Sequence, residues 1–286
     1  MGSCEKKGVE QKNLLVKQPY IGNFATSSNH IQPVMQALEY IGKLPRAPLQ
    51  EVIFEAHWAL ESDDITKQPT DKGFALALGV FAQVLAERGF TMVKRLVPEG
   101  IPLEIVAYKP VYQFRRNEGT WPVVQFGFGI ITVNDTEQNY EWNGAFKPLI
   151  EEVLEMLTKS YRKEFTFSHL NLRYIDAVDI DEQEDIREFI SKNLQIQIRQ
   201  GFSVQGRLSN LSLNQSYVTD NDSHIHLSLA NGINAEQHPA LLWQTSVERA
   251  TEIAWNDVSS WLDFAHTTTS HLFRTMLTKE FYEQFT

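Results

Sequence analysis

The chain reads Val111-Tyr112-Gln113-Phe114-Arg115, then Asn117-Glu118-Gly119, then Val123-Val124-Gln125-Phe126. The first and last stretches are rich in β-branched and aromatic residues and have a period of two, which predicts two β-strands. The stretch between them contains a glycine and predicts the hairpin loop that joins them. Because the strands of a hairpin are antiparallel, this part of the chain predicts an antiparallel sheet.

The strand pattern continues on both sides of this hairpin. Before it, Leu103-Glu104-Ile105-Val106-Ala107-Tyr108 predicts a further strand, and Val52-Ile53-Phe54-Glu55-Ala56-His57-Trp58 predicts an earlier one. After it, Gly127 and Gly129 predict a tight bend into Ile130-Ile131-Thr132-Val133. The hairpin therefore belongs to a larger sheet.

Helices are predicted where apolar residues recur every three or four positions. Residues 72–88 predict a helix that is apolar on most sides and therefore deeply buried. Residues 142–161 predict a helix with one apolar face, and a long final helix begins near Asn256 or Asp257. Several strands follow one another without a helix between them, which argues against the parallel sheet of dinucleotide-binding proteins.

The order of these elements predicts an α+β protein with two consecutive layers of curved antiparallel sheet packed by long helices. We divide the chain into a flexible N-terminal segment (1–27), an amphipathic helix (28–44), a first α+β half (45–180) and a second α+β half that ends in the long helix (181–286). Sequence identity between the two halves is not visible, so duplication is only a hypothesis.

Composition limits the classes of function. The net charge of −10 opposes binding to the phosphates of nucleic acids and suits a basic protein partner. The single cysteine, Cys4, excludes an intramolecular disulfide and a thiolate zinc site. Because neither a secretory signal nor a membrane span is recognised, we expect a cytoplasmic protein.

Common catalytic motifs do not occur in the sequence. We find no Gly-x-Ser-x-Gly elbow, no phosphate-binding loop and no Rossmann glycine pattern, so we predict no cofactor and favour a non-enzymatic protein. One histidine pair leaves an alternative open. His224 and His226 stand two apart in a predicted strand and point to the same face, where acidic neighbours would complete a metal site.

Four parts of the chain carry a resemblance to a known family. They are Leu44-Pro45-Arg46-Ala47-Pro48-Leu49-Gln50-Glu51-Val52-Ile53-Phe54-Glu55; a middle pattern of Val124-Gln125-Phe126, Thr132-Val133-Asn134 and Tyr140-Glu141-Trp142; Asn171-Leu172-Arg173-Tyr174-Ile175-Asp176; and Trp261-Leu262-Asp263-Phe264-Ala265-His266. Over residues 44–285 the chain resembles a sporadically distributed family of uncharacterised bacterial proteins. Asp176 departs from the family pattern, which has asparagine at that place.

The resemblance implies accessory gene neighbourhoods, including phage-defence and toxin–antitoxin loci, and a protein partner encoded nearby. The helix at 28–44 lies upstream of the usual family start, so we expect it to dock a partner through Ile31, Val34, Met35 and Leu38. The family motifs also suggest the lining of a ligand- or partner-binding site: Tyr140, Trp142, Arg173, Tyr174 and His266. Core packing would explain the same residues.

Three functions remain open from the sequence. The first is a non-enzymatic protein-interaction subunit or sensor of a multi-component bacterial system, which is compatible with an oligomer. The second is a small-molecule or peptide-binding module with a pocket between a helix and the sheet. The third is a metal-dependent nuclease that uses His224, His226 and acidic neighbours.

Overall fold

The computed structural model describes residues 43–136, 139–206, 208–234 and 238–286. In chain order the strands are β1 (Leu49–Trp58), β2 (Glu61–Ser62), β3 (Pro69–Thr70), β4 (Met92–Arg95), β5 (Tyr112–Arg115), β6 (Val123–Gly127), β7 (Ile130–Asp135), β8 (Thr166–Asp179), β9 (Ser212–Val218), β10 (Ser223–Ile233), β11 (Pro239–Arg249) and β12 (Ile253–Ala254). The helices are α1 (Phe74–Glu87), α2 (Lys147–Tyr161), α3 (Ile186–Asn193), α4 (Trp255–Met276) and α5 (Lys279–Tyr282).

Two predictions lie wholly or mostly outside the described residues. They are the flexible segment at 1–27 and the amphipathic helix at 28–44, of which only the last two positions are described. The stripe expected to dock a partner, Ile31, Val34, Met35 and Leu38, belongs to the part that is not described. Among the described helices, none is long and apolar enough to cross a membrane.

One antiparallel sheet organises the described ranges. Its strand order is β4-β5-β6-β7-β1-β8-β11-β10-β9, and β12 extends it by pairing with the start of β8. The hairpin predicted from residues 111–126 is confirmed, since β5 and β6 are antiparallel neighbours. β2 and β3 form a separate two-stranded sheet. The structure therefore confirms an α+β fold with a large antiparallel sheet.

The finer prediction of two consecutive sheet layers is not confirmed. β8 is 14 residues long and pairs with β1 on one side and with β11 on the other. Strands from both sides of residue 180 are thus hydrogen bonded within a single sheet. The sequence pattern predicts the strands themselves, but it does not say which distant strands share a ladder.

All five described helices bury their apolar side chains against the same face of this sheet. The larger core joins α1, α2 and most of α4 to the central strands, and it is rich in aromatic rings, including Phe54, Phe81, Phe114, Phe126, Phe146 and Phe167. A smaller core joins α3, α5 and the end of α4 to β10 and β11. We call this side of the sheet the helix face.

Two elements differ from their predictions. α1 buries Phe74, Ala77, Phe81 and Leu85, whereas Leu76 on the outer side is 81% exposed, so the helix is buried on one face only. The strand predicted at 103–108 is instead a 3-10 turn, Leu103–Val106. It starts after Pro102, which has no N–H to donate to a sheet, and the positive φ of Tyr108 ends any extended run.

The other side of the sheet carries mostly polar side chains, and we call it the polar face. Alternation along each strand produces this division, because successive side chains point to opposite sides. On β1, Phe54 and Ala56 are fully buried on the helix face, while Glu55 and His57 point the other way. The same rule places Tyr174 on the helix face and its neighbour Arg173 on the polar face.

Candidate functional site

A line of histidine and glutamate side chains crosses four adjacent strands on the polar face. It runs from His57 and Glu55 on β1, through His169 on β8 and Glu248 on β11, to His226 on β10. We call these five residues the histidine–glutamate row. Their side chains are between 19% and 33% exposed, so solvent reaches the row although most of each side chain is covered.

Strand register explains how these residues meet. His57 lies directly opposite His169 in the β1–β8 ladder, and Glu55 lies opposite Asn171. On the other side of β8, Asn171 lies opposite Glu248. Residues directly opposite or diagonal to one another on one face are close enough for side-chain contact. The row is therefore a product of pairing between distant segments.

Neighbouring side chains of the row lie within 4 Å of one another. Nε2 of His57 lies 2.8 Å from Oε1 of Glu55, and Nε2 of His169 lies 3.9 Å from the same oxygen. Nδ1 of His169 lies 3.5 Å from Oε1 of Glu248. At the far end, Nε2 of His226 lies 3.2 Å from Oε2 of Glu248.

Three members of the row have the chemistry of a metal site. One potential ligand atom from each of Glu55, His57 and His169 lies within 4.8 Å of the other two. Two imidazoles and one carboxylate form a donor set used by zinc and by non-haem iron, with metal–ligand distances of about 2.0–2.2 Å for zinc.

The charge states of two members suit metal binding. Burial alone would raise the pKa of Glu55, but the contact with His57, with help from His169 and Arg173, holds it below its usual value. Burial lowers the pKa of His169, and the neighbouring His57 adds to this effect. An ionised carboxylate and a neutral imidazole are the forms that bind metal ions.

Seven buried side-chain polar atoms have no hydrogen-bond partner among the described residues, and four of them lie on the polar face; the other three belong to Trp58, Trp243 and Arg249. Nε2 of His57, Oδ1 of Asn171, Nε of Arg173 and Nε2 of His226 are buried and have no hydrogen-bond partner among the described residues. The two imidazole nitrogens lie close to carboxylate oxygens, but not in the geometry of a hydrogen bond. Buried polar atoms are normally satisfied, so the four on the polar face are available to a bound ligand or to ordered water.

An aromatic side chain supports one end of the row. The ring of Tyr108 stacks on His57, with centroids 5.4 Å apart, and His57 in turn faces His169 at 4.7 Å. Tyr108 reaches this position because its backbone N–H donates to the carbonyl of Phe128. Gly129 has a φ of +71°, and a Cβ there would stand 2.7 Å from the Tyr108 ring. Glycine at 129 is therefore required for this close approach.

Four of the five residues predicted to line a binding site meet on the helix face. The hydroxyl groups of Tyr140 and Tyr174 are 2.8 Å apart, and the hydroxyl of Tyr174 lies 3.0 Å from Nδ1 of His266. Trp142 stacks on the His266 ring with centroids 4.1 Å apart and an angle of 11° between the planes. We call these four residues the aromatic–histidine cluster.

The aromatic–histidine cluster is packed between the sheet and two helical elements. Glu141 caps the π-helical turn Trp142–Phe146 by accepting from the backbone N–H groups of Asn143 and Gly144, which fixes Trp142 at its start. Burial lowers the pKa of His266 to about 4, so its imidazole is neutral near pH 7. A neutral ring in a hydrogen-bonded aromatic setting fits a packing role.

The fifth predicted residue, Arg173, does not join this cluster. It is the chain neighbour of Tyr174, and alternation along β8 places it on the polar face between Ile53 and Ser246. Of the predicted metal pair, His226 belongs to the histidine–glutamate row. His224 is exposed, with its ring 6.1 Å from that of His226, and it lies outside the group of three ligands.

A separate cleft of about 820 Å³ opens beside α2. Its lining includes the rings of Trp121 and Trp255 and the carboxylates of Asp135, Glu151, Glu152 and Glu155. None of the five predicted lining residues borders it. The sequence analysis therefore did not identify the residues of this cleft.

Four residues of the histidine–glutamate row were not predicted from the sequence: Glu55, His57, His169 and Glu248. A signal was present, because Glu55-x-His57 and His169-x-Asn171-x-Arg173 place polar side chains at alternate positions of otherwise apolar strands. The pairing of β1 with β8 could not be read from one sequence. Comparison of the chain with models of protein families, curated proteins and solved structures finds no match.

Proposed function

We propose that this chain is a metal-binding sensor or interaction subunit of a multi-component bacterial system, with no catalytic activity of its own. The observation that carries the proposal is the group formed by Glu55, His57 and His169 on the polar face. The bacterial system and the partner come from the family resemblance, which stays a prediction. The metal comes from the chemistry and geometry of the three side chains.

A site of this composition suits a sensor. Three protein ligands leave at least one coordination position for a group from outside the protein, whereas structural zinc sites normally use four protein ligands. The three side chains are about one-fifth exposed, so an external group can reach them. A partner that contacts this face of the sheet could therefore bind differently when the metal or its external ligand is present.

Metal titration of the purified full chain tests the first part of the proposal. We expect the protein, once stripped of metal, to bind one zinc ion per chain by calorimetry or by competition with a chelator. His57→Asn and His169→Asn should each weaken binding by about 100-fold or more, because loss of even an outer-shell partner of a ligand costs about 10- to 100-fold. Glu55→Gln should also weaken it.

His271→Asn is the matched control, because His271 is an exposed histidine of α4 on the helix face. It should leave zinc affinity unchanged. Circular dichroism of each variant establishes that the fold is retained. A wild-type chain that binds no divalent transition metal, or that binds it equally well without His57 and His169, would contradict the proposal.

Co-expression with the products of neighbouring genes tests the second part. We expect one such product to co-purify with the wild-type chain and to be lost, wholly or partly, after chelation or in the His169→Asn variant. A partner that binds equally well with and without metal would support the role of interaction subunit and contradict the role of metal sensor. Isolation of the chain alone from every co-expression would contradict the interaction role.

The cleft beside α2 supports a second candidate, a peptide-binding module. Four carboxylates and two tryptophan rings line the cleft, and Arg116 is the only basic residue among its described lining residues. Glu152 and Glu155 also pair with Arg88 and Lys159 outside that lining, and the remaining carboxylates favour a basic segment. A lysine- and arginine-containing peptide should bind with an affinity that falls as salt rises. The double variant Glu151→Gln, Glu155→Gln should bind this peptide more weakly than wild type. Equal affinity of the variant and wild type would exclude the cleft as the peptide-binding site.

A further inference from the structure

Arg173 lies beside the candidate metal ligands without a hydrogen-bond partner for its Nε atom. It shares the polar face of β8 with His169 and Asn171, four and two residues earlier. In the β1–β8 ladder it stands opposite Ile53, which makes it a diagonal neighbour of Glu55. Its positive charge is the smallest of the contributions that lower the pKa of Glu55.

The Nε atom of Arg173 is buried, and no described residue accepts a hydrogen bond from it. Leaving a buried charged donor unsatisfied costs free energy, and arginine is usually found where its planar group can bind an oxyanion. The side-chain oxygen of Asn171, on the same face, is also buried without a partner. The polar groups next to the candidate metal ligands are thus incompletely satisfied by the protein.

The charges around this position favour an anion once a metal is present. Glu55 and Glu248 supply two negative charges, and Arg173 supplies one positive charge. A divalent cation held by Glu55, His57 and His169 would add two positive charges, which together with Arg173 outweigh the two carboxylates. A negatively charged group that touches both the metal and the guanidinium would complete the site electrostatically.

We propose that the polar face binds a phosphoryl group between the metal held by Glu55, His57 and His169 and the guanidinium of Arg173. This inference rests on the metal-binding function proposed above and names the class of ligand that is sensed. A phosphoryl group has three outer oxygens, so one can bind the metal while others accept from the guanidinium. Arginine binds phosphate through two parallel hydrogen bonds, which fixes the orientation of the ligand.

Calorimetry on the zinc-loaded full chain tests this inference, with methyl phosphate as the probe and acetate as a carboxylate of comparable size. We expect methyl phosphate to bind more tightly than acetate. Arg173→Gln should weaken methyl phosphate binding by about 10-fold or more, since the variant loses the charge-assisted hydrogen bonds to the phosphate oxygens. Arg173→Lys keeps the charge but not the planar pair of donors, so its affinity for methyl phosphate should lie between those of wild type and Arg173→Gln.

Arg199→Gln is the control, because Arg199 is exposed and its guanidinium donates a hydrogen bond to the side chain of Gln197, away from the candidate metal ligands. Zinc content is measured first in every sample. Full zinc loading with equal methyl phosphate binding by wild type and Arg173→Gln would overturn the phosphoryl inference and leave the metal proposal standing. Equal or tighter binding of acetate would overturn the choice of phosphoryl group. A chain that binds no zinc would overturn both.

Discussion

Trp142 covers one face of the His266 imidazole, with the two ring centroids 4.1 Å apart and the planes nearly parallel. The pair joins the π-helical turn before α2 to the middle of α4. On its edge, the imidazole meets the hydroxyl groups of Tyr174 and Tyr140 at 3.0 Å and 3.4 Å from Nδ1. This histidine is therefore enclosed on several sides, and its protonation should matter for stability.

His266 should make the protein less stable in mild acid. Burial lowers its pKa to about 4 in the folded chain, against an ordinary value of 6.5, so between these values the unfolded chain binds a proton that the folded chain does not. The free energy of unfolding therefore falls as pH falls from 6.5 to 4, by up to about 3 kcal/mol from this group.

Urea unfolding at several pH values measures this effect. His266→Gln should reduce the loss of stability between pH 6.5 and 4, because glutamine does not titrate. His271→Gln, which removes an exposed histidine from the same helix, should behave as wild type. An unchanged pH dependence in His266→Gln would show that the folded chain accepts the proton on His266 at no cost.

Asp176 should have the opposite pH dependence. It is 4% exposed on the helix face, and burial raises its pKa to about 8. Between its unfolded pKa, near 3.8, and this value the folded chain binds the extra proton, so stability falls as pH rises through this range. Asp176→Asn should stabilise the protein at pH 8 by about 2 kcal/mol or more.

The same substitution should have little effect at pH 4.5, where the carboxyl group is neutral in the folded chain. Thermal unfolding of wild type and Asp176→Asn at the two pH values measures the difference. A variant that is equally destabilised at both values would show that Asp176 forms interactions that asparagine cannot replace.

Gly129→Ala should disturb the histidine–glutamate row from a distance. The new methyl group would stand 2.7 Å from the Tyr108 ring and push it away from His57, at a position where φ is already +71°. Gly119 has nearly the same φ of +70° but open space around it. Both alanine variants should lose about 1 kcal/mol from backbone strain.

Only Gly129→Ala should lose more stability than this and bind zinc more weakly. Urea unfolding and zinc titration of the two variants separate strain from steric displacement. Adding Tyr108→Ala to Gly129→Ala should recover part of the lost stability. Equal stability and equal zinc affinity in the two single variants would mean that Tyr108 does not position His57.

Two substitutions in α1 test which side of this helix is buried. Phe81 is fully buried against the aromatic core, so Phe81→Ala should cost about 3–5 kcal/mol. Leu76 is 81% exposed, so Leu76→Ala should change stability by about 0.5 kcal/mol or less. A large loss for Leu76→Ala in urea unfolding would show that another surface covers the outer side of the helix in solution.

Some of the helices and strands could be predicted from the sequence, and others could not. Local patterns were sufficient for the β5–β6 hairpin, α2 and α4, because neighbouring residues determine turns and amphipathic faces. They failed for α1, where apolar residues on the outer side suggested deep burial. They also failed at residues 103–108, where β-forming side chains occupy a turn. In both cases, the burial or the conformation of the segment depends on where it lies in the fold and not on its own residues alone.

The candidate sites show the same limit. The family motifs led to Tyr140, Trp142, Tyr174 and His266, which the fold brings together, although their spacing along the chain exceeds 120 residues at its largest. The histidine–glutamate row requires the register of three strand pairs, β1–β8, β8–β11 and β11–β10. The register of these strand pairs cannot be derived from the local pattern of a single sequence.

β8 separates the two sites by the thickness of a single strand. His169 and Arg173 point to the polar face, and Tyr174 points to the aromatic–histidine cluster behind it. Inserting one residue between His169 and Tyr174 would exchange the sides of everything that follows in the strand. Alternate positions of this strand therefore supply two different sites on opposite sides of the sheet. A substitution at one position changes one site directly, whereas a single insertion would displace the side chains of both sites at once.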